Sequence, residues 1–489
     1  MAIPPETSPV QLLLERFIYR QRDFWRVPPS ATKEKCRAQS PPEPMAAHPK
    51  ANPNFHVTAL ADMISAAVKV VVSEYAAVGH AVPTLESIEP GPFDDPDKST
   101  ARLRTAVKTI EAACAQLCAT VATPQGNMHN KAYAYVDIAC IRTVIDARVA
   151  DHLLSRPEGM HVDELSKLTS IEAGKLARVL RVLATSHCFS EVYPNVFTNN
   201  RLSMKLLSED PVCSLVGRAV DETAPSALHL SEVLRDPKKG RSYLPQDCTY
   251  DHFYGRPVFG QTDTPEGKFR CERFAKAMAG LSCIGGRAML SKVYPWHTAP
   301  QGATIVDVGG SKGHATMDVA RAFPHLKVIV QDAPEVVAQG PEYWKTNLPE
   351  GNVSFVPIDF FKQSPVSGCE YYYVKHILHD WPDAESIKIL QNIRAATKPT
   401  SRLLIHDYVL PPVARRLGRA DAMQAPEPLL PSYGAANTRP FRQDINMLIQ
   451  VNGKERTLDE FIELTEKTGW KFEEWMEAGE EGLLEFVPV

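Results

Sequence analysis

After Gly302 the chain alternates short β-prone runs with longer stretches of helical period. The runs are TIVDV at 304–308, KVIVQ at 327–331, VSFVPI at 353–358, YYYVK at 371–375 and RLLIHDYVL at 402–410. Near-continuous apolar runs of this length read as strands covered on both faces, and the helical stretches between most of them supply the crossovers of a parallel sheet. Residues 296–489 are therefore expected to form an open, doubly wound, Rossmann-like α/β domain.

Upstream the period is helical. Residues 58–80, 100–123 and 133–152 space their apolar positions three and four apart. The most apolar stretch, Thr58 to Val82, is interrupted by Asp62, Lys69, Glu74 and His80, so it reads as an amphipathic helix and not as a membrane span. A short helix (VDELSKLT), a turn and a helix beginning near Ile171 follow, with Thr169 and Glu172 at capping-box spacing. FSEVYPNVFTN then gives two β-prone runs around Pro194 and Asn195, a hairpin. The outline is a winged helix. The chain thus divides into an N-terminal helical extension (1–128), partly disordered and Pro-rich with a short helix at 12–25, a winged-helix-like region (129–210), a helical linker (211–295) and the α/β domain.

Charge and cysteine content narrow the partners. Only Lys175, Arg178 and Arg181 line the second helix of the winged outline, and the net charge is −4, so packing or dimerisation is expected there and nucleic acid is not. Ten cysteines over 489 residues form no disulfide framework, and Cys114 and Cys118 have no second pair at metal-ligand spacing. The expectation is free thiols in a reducing compartment, no metal, and, with no secretory or spanning signal read, a cytoplasmic protein without a membrane partner.

The candidate chemistry lies at the carboxyl ends of the expected strands, where open α/β sheets bind ligands. The first strand enters VDVGGSKGH, a turn with Gly309, Gly310 and Gly313. Glycine lets a backbone turn tightly against a ligand. Asp332 ends the second strand, where a carboxylate can accept from both ribose hydroxyls. These features fit a dinucleotide or S-adenosylmethionine equally. Two details favour the latter: the turn lacks G-x-G-x-x-G spacing, and the third strand ends in Asp359-Phe360, an acceptor for an adenine amino group beside a ring for the base face.

The segment YYYVKHILHDWPDAES, with VDVGGSKGH before it and LLIHDYVLPP and NGKERTLDEF after it, resembles the small-molecule O-methyltransferases of plant caffeate and flavonoid type, and most of all their fungal relatives that methylate aromatic polyketides. The likeness covers about residues 130–489. It implies a general base at His379, with Asp407 orienting its imidazole and Glu455 as a third member. It implies cofactor contacts at Gly309, Gly310, Asp332, Asp359, Phe360 and Lys375. Phe274, Met278, Trp381, Asn446 and Met447 match acceptor-pocket positions loosely. The implied cofactor is S-adenosylmethionine, leaving as S-adenosylhomocysteine, the implied acceptor a phenolic hydroxyl, and the implied assembly a homodimer. Relatives of this architecture that use the cofactor for hydroxylation, decarboxylation or pericyclic rearrangement give the alternative. The types suit the chemistry: a phenol ionises near 10, and a neutral imidazole can take its proton if a carboxylate fixes the ring.

Three departures from the family plan stand out. Ser311 and Lys312 replace a further glycine in the turn. Asp407 stands where plant members carry glutamate. A Pro- and Ala-rich insertion over 413–440 is expected to be a mobile surface loop near the site mouth.

Overall fold

The computed structural model describes residues 54–258, 264–415 and 424–489; the helix expected at 12–25 and the Pro-rich segment around it lie outside them. The helical rhythm of the N-terminal region folds with shifted ends. Helix α1 (Phe55–Ala77) lies along α2 (Ala101–Val121), whose N-cap Thr100 also donates to Glu74 of α1 at 2.6 Å. By length and composition α1 is the one helix among the described residues able to cross a membrane; here it packs on α2. The stretch 133–152 breaks after α3 (Ala134–Asp146), where Arg148 takes a left-handed φ of 49°.

The winged outline is present. β1 (Met160–His161), α4 (Val162–Thr169) and α5 (Ala173–Thr185) lead to the hairpin β2 (Ser190–Tyr193) and β3 (Val196–Thr198), turning at Pro194 and Asn195. Leu176, Leu180 and Leu183 of α5 are buried with Val149, Leu153 and Phe197. The capping box is not formed. Thr169 donates to the Leu165 carbonyl and closes α4, while Glu172 itself caps α5, accepting from the Gly174 and Lys175 amides at 2.9 and 2.8 Å. A glutamate reaches both amides and also meets the positive end of the helix dipole. Arg181 is engaged by Glu191 and Asn195 of the hairpin.

In the linker, α6 (Pro211–Arg218) crosses α7 (Pro265–Gly285) at Gly280, where a Cβ would lie 2.5 Å from the Pro211 carbonyl oxygen. α6 runs on into a π-helical turn over Ala219–Thr223. The described part of the insertion packs on the N-terminal helices. Its Ala425 and Leu429 are buried against Leu60 of α1 and Ala112 and Ala113 of α2. The Gln116 amide donates to the Pro428 carbonyl at 2.8 Å and accepts from Leu430 N–H at 3.2 Å. The two additions to the family plan, extension and insertion, pack on each other.

The β-rich runs form one seven-stranded sheet. β4 (Thr304–Val308), β5 (Lys327–Asp332), β6 (Val353–Pro357), β7 (Tyr371–Lys375) and β8 (Arg402–Asp407) are parallel, in the order β8-β7-β4-β5-β6. The run at 402–410 divides. β8 ends at Asp407, and β9 (Val409–Leu410) leaves the sheet to pair in parallel with β10 (Arg456–Thr457). Two antiparallel strands, β11 (Trp470–Ala478) and β12 (Glu481–Pro488), close the β8 edge, making the sheet mixed. Helix α8 (His314–Ala322) follows the glycine turn; α9 (Asp383–Ala396), α10 (Thr438–Val451) and α11 (Leu458–Glu466) complete the domain. Ile389 and Ile393 of α9 and Phe461 of α11 pack on Val306, Val374, Leu403 and Ile405.

One buried side chain fastens the loop after β7. Arg456, 1% exposed, donates to the Leu378 carbonyl at 2.7 Å and the Trp381 carbonyl at 3.0 Å, and meets Asp383 at 2.8 Å. A guanidinium matches this fan of acceptors; an amine or thioether cannot. Arg456→Met is expected to cost about 3 kcal/mol, because it strips buried carbonyls of their donor. The measurement is the denaturant midpoint of the full chain; an unchanged midpoint would mean that water replaces the guanidinium.

Candidate active site

The glycine turn is shaped by crowding. At Gly309, φ is 75° and a Cβ would stand 2.4 Å from Ile377 Cδ1, with Phe360 close behind at 3.7 Å. At Gly310 a Cβ would strike the Asp307 carboxyl carbon at 2.3 Å. Ser311, standing for the family's extra glycine, takes a left-handed φ of 53°, a conformation costing an L-residue roughly 1–2 kcal/mol. Its N–H is held by Asp332 Oδ2 at 2.8 Å, and Asp332 Oδ1 accepts from Ala333 N–H at 2.7 Å. Burial raises the Asp332 pKa against the pull of these two donors. Asp307, buried beneath the turn, is pushed up to about 7 by its burial and accepts from the Thr316 hydroxyl at 2.8 Å.

The remaining residues expected to hold the cofactor divide. Phe360 lies against the glycine turn. Asp359 is at the surface, paired with Lys362 at 2.7 Å and accepting from Phe361 N–H. Lys375 Nζ lies 2.8 Å from Glu481 Oε2. The bare Cα of Gly309 beside Phe360, with Asp332 at the neighbouring strand end, makes a cradle suited to a nucleoside sulfonium.

His379 sits in the 3₁₀ turn Leu378–Asp380 just past β7, 7% exposed. Its Nδ1 is 2.8 Å from Glu455 Oε1, and its Nε2 is 3.6 Å from Asp380 Oδ1. The pairing of β9 with β10 brings Glu455 to this point, and the Asp444 carboxylate accepts from Glu455 N–H at 3.0 Å. The His379 carbonyl accepts from Lys454 N–H at 3.0 Å, and a Cβ on Gly453 would lie 2.1 Å from that oxygen, so only glycine fits there. Burial pulls the His379 pKa down, but the Glu455 carboxylate, with Asp380 and Asp407, outweighs it and holds the ring up at about 10.

Asp407 differs from its expected part. Its Oδ1 accepts from His376 N–H at 2.7 Å, so it fixes the loop backbone, and the bond to the His379 ring belongs to Glu455. An aspartate at the end of β8 is spanned by the main chain turning in front of it: His376 has a φ of 51° and presents its amide to the carboxylate. Burial lifts Asp407 to about 6.

Sequence reasoning missed Glu481, at the start of β12. This carboxylate, 5% exposed, lies 2.8 Å from Lys375 Nζ, 2.8 Å from His376 Nε2 and 2.9 Å from His406 Nε2. Lys375 first, and then the two imidazoles, hold its pKa well below the carboxylate range despite burial. The Tyr373 hydroxyl and His406 Nδ1 are 2.7 Å apart, and burial lowers His406 to about 4, so that imidazole is neutral. The His376 and His379 rings lie tilted by 33° to each other, with centroids 5.0 Å apart. A signal was present in the paired glutamates of EAGEEG, but nothing local tells that one turns inward.

Among the residues expected to line the acceptor pocket, Phe274 carries the Arg218 guanidinium over its ring at 5.0 Å, and Asn446 Oδ1 accepts from Gln450 Nε2 at 2.7 Å. Met447 is buried and Met278 half-buried. Trp381 stands elsewhere, edge-on to Phe361 at 4.7 Å, and extends the Phe360–Phe361 row beside the glycine turn.

Comparison with known proteins identifies the family. The O-methyltransferase domain family matches residues 229–471. The chain is 44% identical over 446 residues to 3-O-methyltransferase 2 of Phanerochaete chrysosporium, covering 90% of this chain and all of that protein. It is 30% identical to 4-O-methyltransferase 1 of the same fungus, over 80% of this chain and 92% of the relative. The fold is shared with mitomycin 7-O-methyltransferase MmcR (TM-score 0.61, 24% identity, 77% of this chain and 99% of that one) and with LepI in complex with S-adenosylmethionine (TM-score 0.64, 20% identity, 88% and 100%). The chain belongs to the S-adenosylmethionine-dependent O-methyltransferase family.

Proposed function

We propose that this O-methyltransferase methylates a hydroxyl of a small aromatic, polyketide-like secondary metabolite, with His379 taking the hydroxyl proton. The observation that carries this reading is the buried pair His379 Nδ1–Glu455 Oε1 at 2.8 Å, which leaves Nε2 as the free ring nitrogen. S-adenosylmethionine, when bound, supplies a methyl group already activated on sulfur. The chain's part is to place the acceptor oxygen and accept its proton at His379 Nε2. Glu455 fixes the tautomer by accepting from Nδ1–H and steadies the imidazolium as it forms. Gly309, Gly310, Asp332, Phe360 and Lys375 are the proposed cofactor contacts, with Asp359 reaching the adenine end once released from Lys362. Phe274, Met278, Asn446 and Met447 line the acceptor side. Asp407 supports the pair from behind, through the His376 amide. The exposed apolar residues of α1, among them Val68 and Val72, support dimerisation through the N-terminal region.

His379→Ala is expected to lower kcat by about 10²–10⁴-fold while S-adenosylmethionine still binds, because only the proton acceptor is removed. The check is label transfer from the methyl donor beside donor titration calorimetry; a mutant with near wild-type turnover would dismiss His379 as base.

The high pKa of His379 sets the pH profile. With the ring near 10, the base form grows as pH rises, so kcat/KM should climb through the alkaline range. Glu455→Gln removes the main charge holding that proton. The limb should then move to lower pH by a unit or more, with a rate loss of about 10²–10³-fold from the misdirected tautomer. Stability responds in the opposite sense. The ring's raised pKa contributes to folding fully below its ordinary value of 6.5, and that contribution fades as pH rises through about 10. Paired pH–rate profiles of wild type and mutant decide it: coincident limbs would remove Glu455 from the base.

Sedimentation of the full chain tests the assembly. A dimer that dissociates on Val68→Asp with Val72→Asp is expected; a monomeric wild type would end that part of the reading.

A further inference from the structure

A buried cation beside the His379 loop has no part in the proton transfer. Arg218 ends α6 and is 8% exposed. Its guanidinium covers the Phe274 ring at 5.0 Å and donates to Gln450 Oε1. Gln450 lies five residues before Glu455, on the helix whose far side leads into the contact with the His379 carbonyl. Asp380, next to His379, acts on the Arg218 charge. The guanidinium therefore lies beside Phe274 of the proposed acceptor side, within electrostatic reach of Asp380 next to the proposed base.

Its neutralisation is incomplete. The carboxylate paired with it, Glu222 in the π-helical turn, is 3.8 Å away. Glu222 is already held by Arg273, through Nε at 3.0 Å and through Nη2. Arg273 also takes Asp221 at 2.7 Å, and Asp221 is shared outward with Arg142 at 2.6 Å. Three arginines thus stand in line with two carboxylates. Arg142 is half-exposed and has Asp146 and solvent to satisfy it. The inner end of the line, Arg218, carries the surplus. Burial pulls its pKa below the ordinary arginine value. A neutral amide and a shared carboxylate are poor compensation for a guanidinium removed from water. A π-helical turn at this point is the kind of irregularity that functional sites retain.

We propose that Arg218, presented by Phe274 and Gln450, reads the acceptor, and that the acceptor is a hydroxyaromatic bearing a second, acidic oxygen on its ring system. A ring carboxylate or an enolised ring ketone supplies the same anionic oxygen, which the planar guanidinium can take with two donors. The proposal rests on the methyl-transfer reading of the site and adds the class of acceptor. The amide of Gln450 holds the guanidinium in place as a positioning residue.

The test uses the full-length protein with S-adenosylhomocysteine bound, so that acceptor binding is read without turnover. The probes are 3,4-dihydroxybenzoate, 4-methylcatechol, which has the same hydroxyls without the carboxylate, and 2,5-dihydroxy-1,4-naphthoquinone, whose 2-hydroxyl is the acidic enol of a ring ketone and whose 5-hydroxyl is the phenolic acceptor. Wild type should bind the benzoate or the quinone at least about tenfold more tightly than the neutral catechol, the probe bound identifying the source of the oxygen. Arg218→Met should weaken the acidic probe by about 10–100-fold and the catechol by less than about twofold, and Arg218→Lys should recover part of the loss. Gln450→Leu, which leaves the charge line intact, should reduce the discrimination with S-adenosylhomocysteine affinity unchanged. The idea is overturned if wild type binds neither acidic probe, if it does not discriminate, if Arg218→Met weakens all probes equally while retaining S-adenosylhomocysteine, or if Gln450→Leu discriminates as wild type does. Failure of the wild type to bind S-adenosylhomocysteine would instead count against the methyl-transfer reading.

Discussion

The C-terminal edge of the sheet is organised by two carboxylates that folding removes from water. Glu455 and Glu481 are 2% and 5% exposed, and an isolated carboxylate so placed would cost several kcal/mol. Each is therefore surrounded by partners supplied by other strands. Glu455 takes the His379 ring from the loop after β7, and Glu481 takes Lys375, His376 and His406 from the ends of β7 and β8. Satisfying these charges fixes the path of the loop after β7. That path lays Ile377 against Gly309 and sets His376 in a left-handed conformation whose amide Asp407 then accepts. The proposed cofactor cradle and the proposed base are parts of one electrostatic arrangement.

This arrangement also explains which residues could be read from the chain. The five parallel strands declare themselves because both their faces are apolar and the period is local. The glycine turn and the acid at the end of β5 follow from strand ends. Closing strands β11 and β12 carry WKFEEWMEA and EGLLEFVP, where glutamates interrupt the apolar run, and the strand signal is diluted in consequence. Glu481 is hidden for the same reason: an inward glutamate is composed like an outward one until its three partners are assembled by sheet pairing. The exchange of parts between Asp407 and Glu455 has a similar origin. Both acids were identified, but which reaches the ring depends on β9 leaving the sheet to meet β10, a pairing of two residues on each side with no periodic signature.

The contact between the N-terminal extension and the 413–440 insertion was not legible because each supplies only half of an interface. Leu60, Ala112 and Ala113 on one side and Ala425 and Leu429 on the other become core only when the segments meet. A Pro- and Ala-rich sequence without period is the natural composition for a strap that borrows its order from helices beneath it, and periodicity cannot reveal such a segment. Residues 416–423 of the strap lie outside the described part.

Shared architecture alone does not decide the reaction, since a pericyclic reaction enzyme has the same fold at a TM-score of 0.61 and 19% identity. The proposed proton abstraction rests on how the histidine is held. A ring that only polarises or shields an acceptor gains nothing from a buried carboxylate on its far nitrogen, and its burial penalty would be smaller without one. His379 has that carboxylate, 2.8 Å away, at the cost of burying both groups. The resulting imidazolium is stabilised before any acceptor arrives, which lowers the cost of creating it during the reaction. The same stabilisation raises the ring's pKa, so the proposed base is more fully available as pH rises. A cationic donor placed beside this ring would favour loss of its proton by charge repulsion. In the proposed reaction, base and donor are then coupled through space.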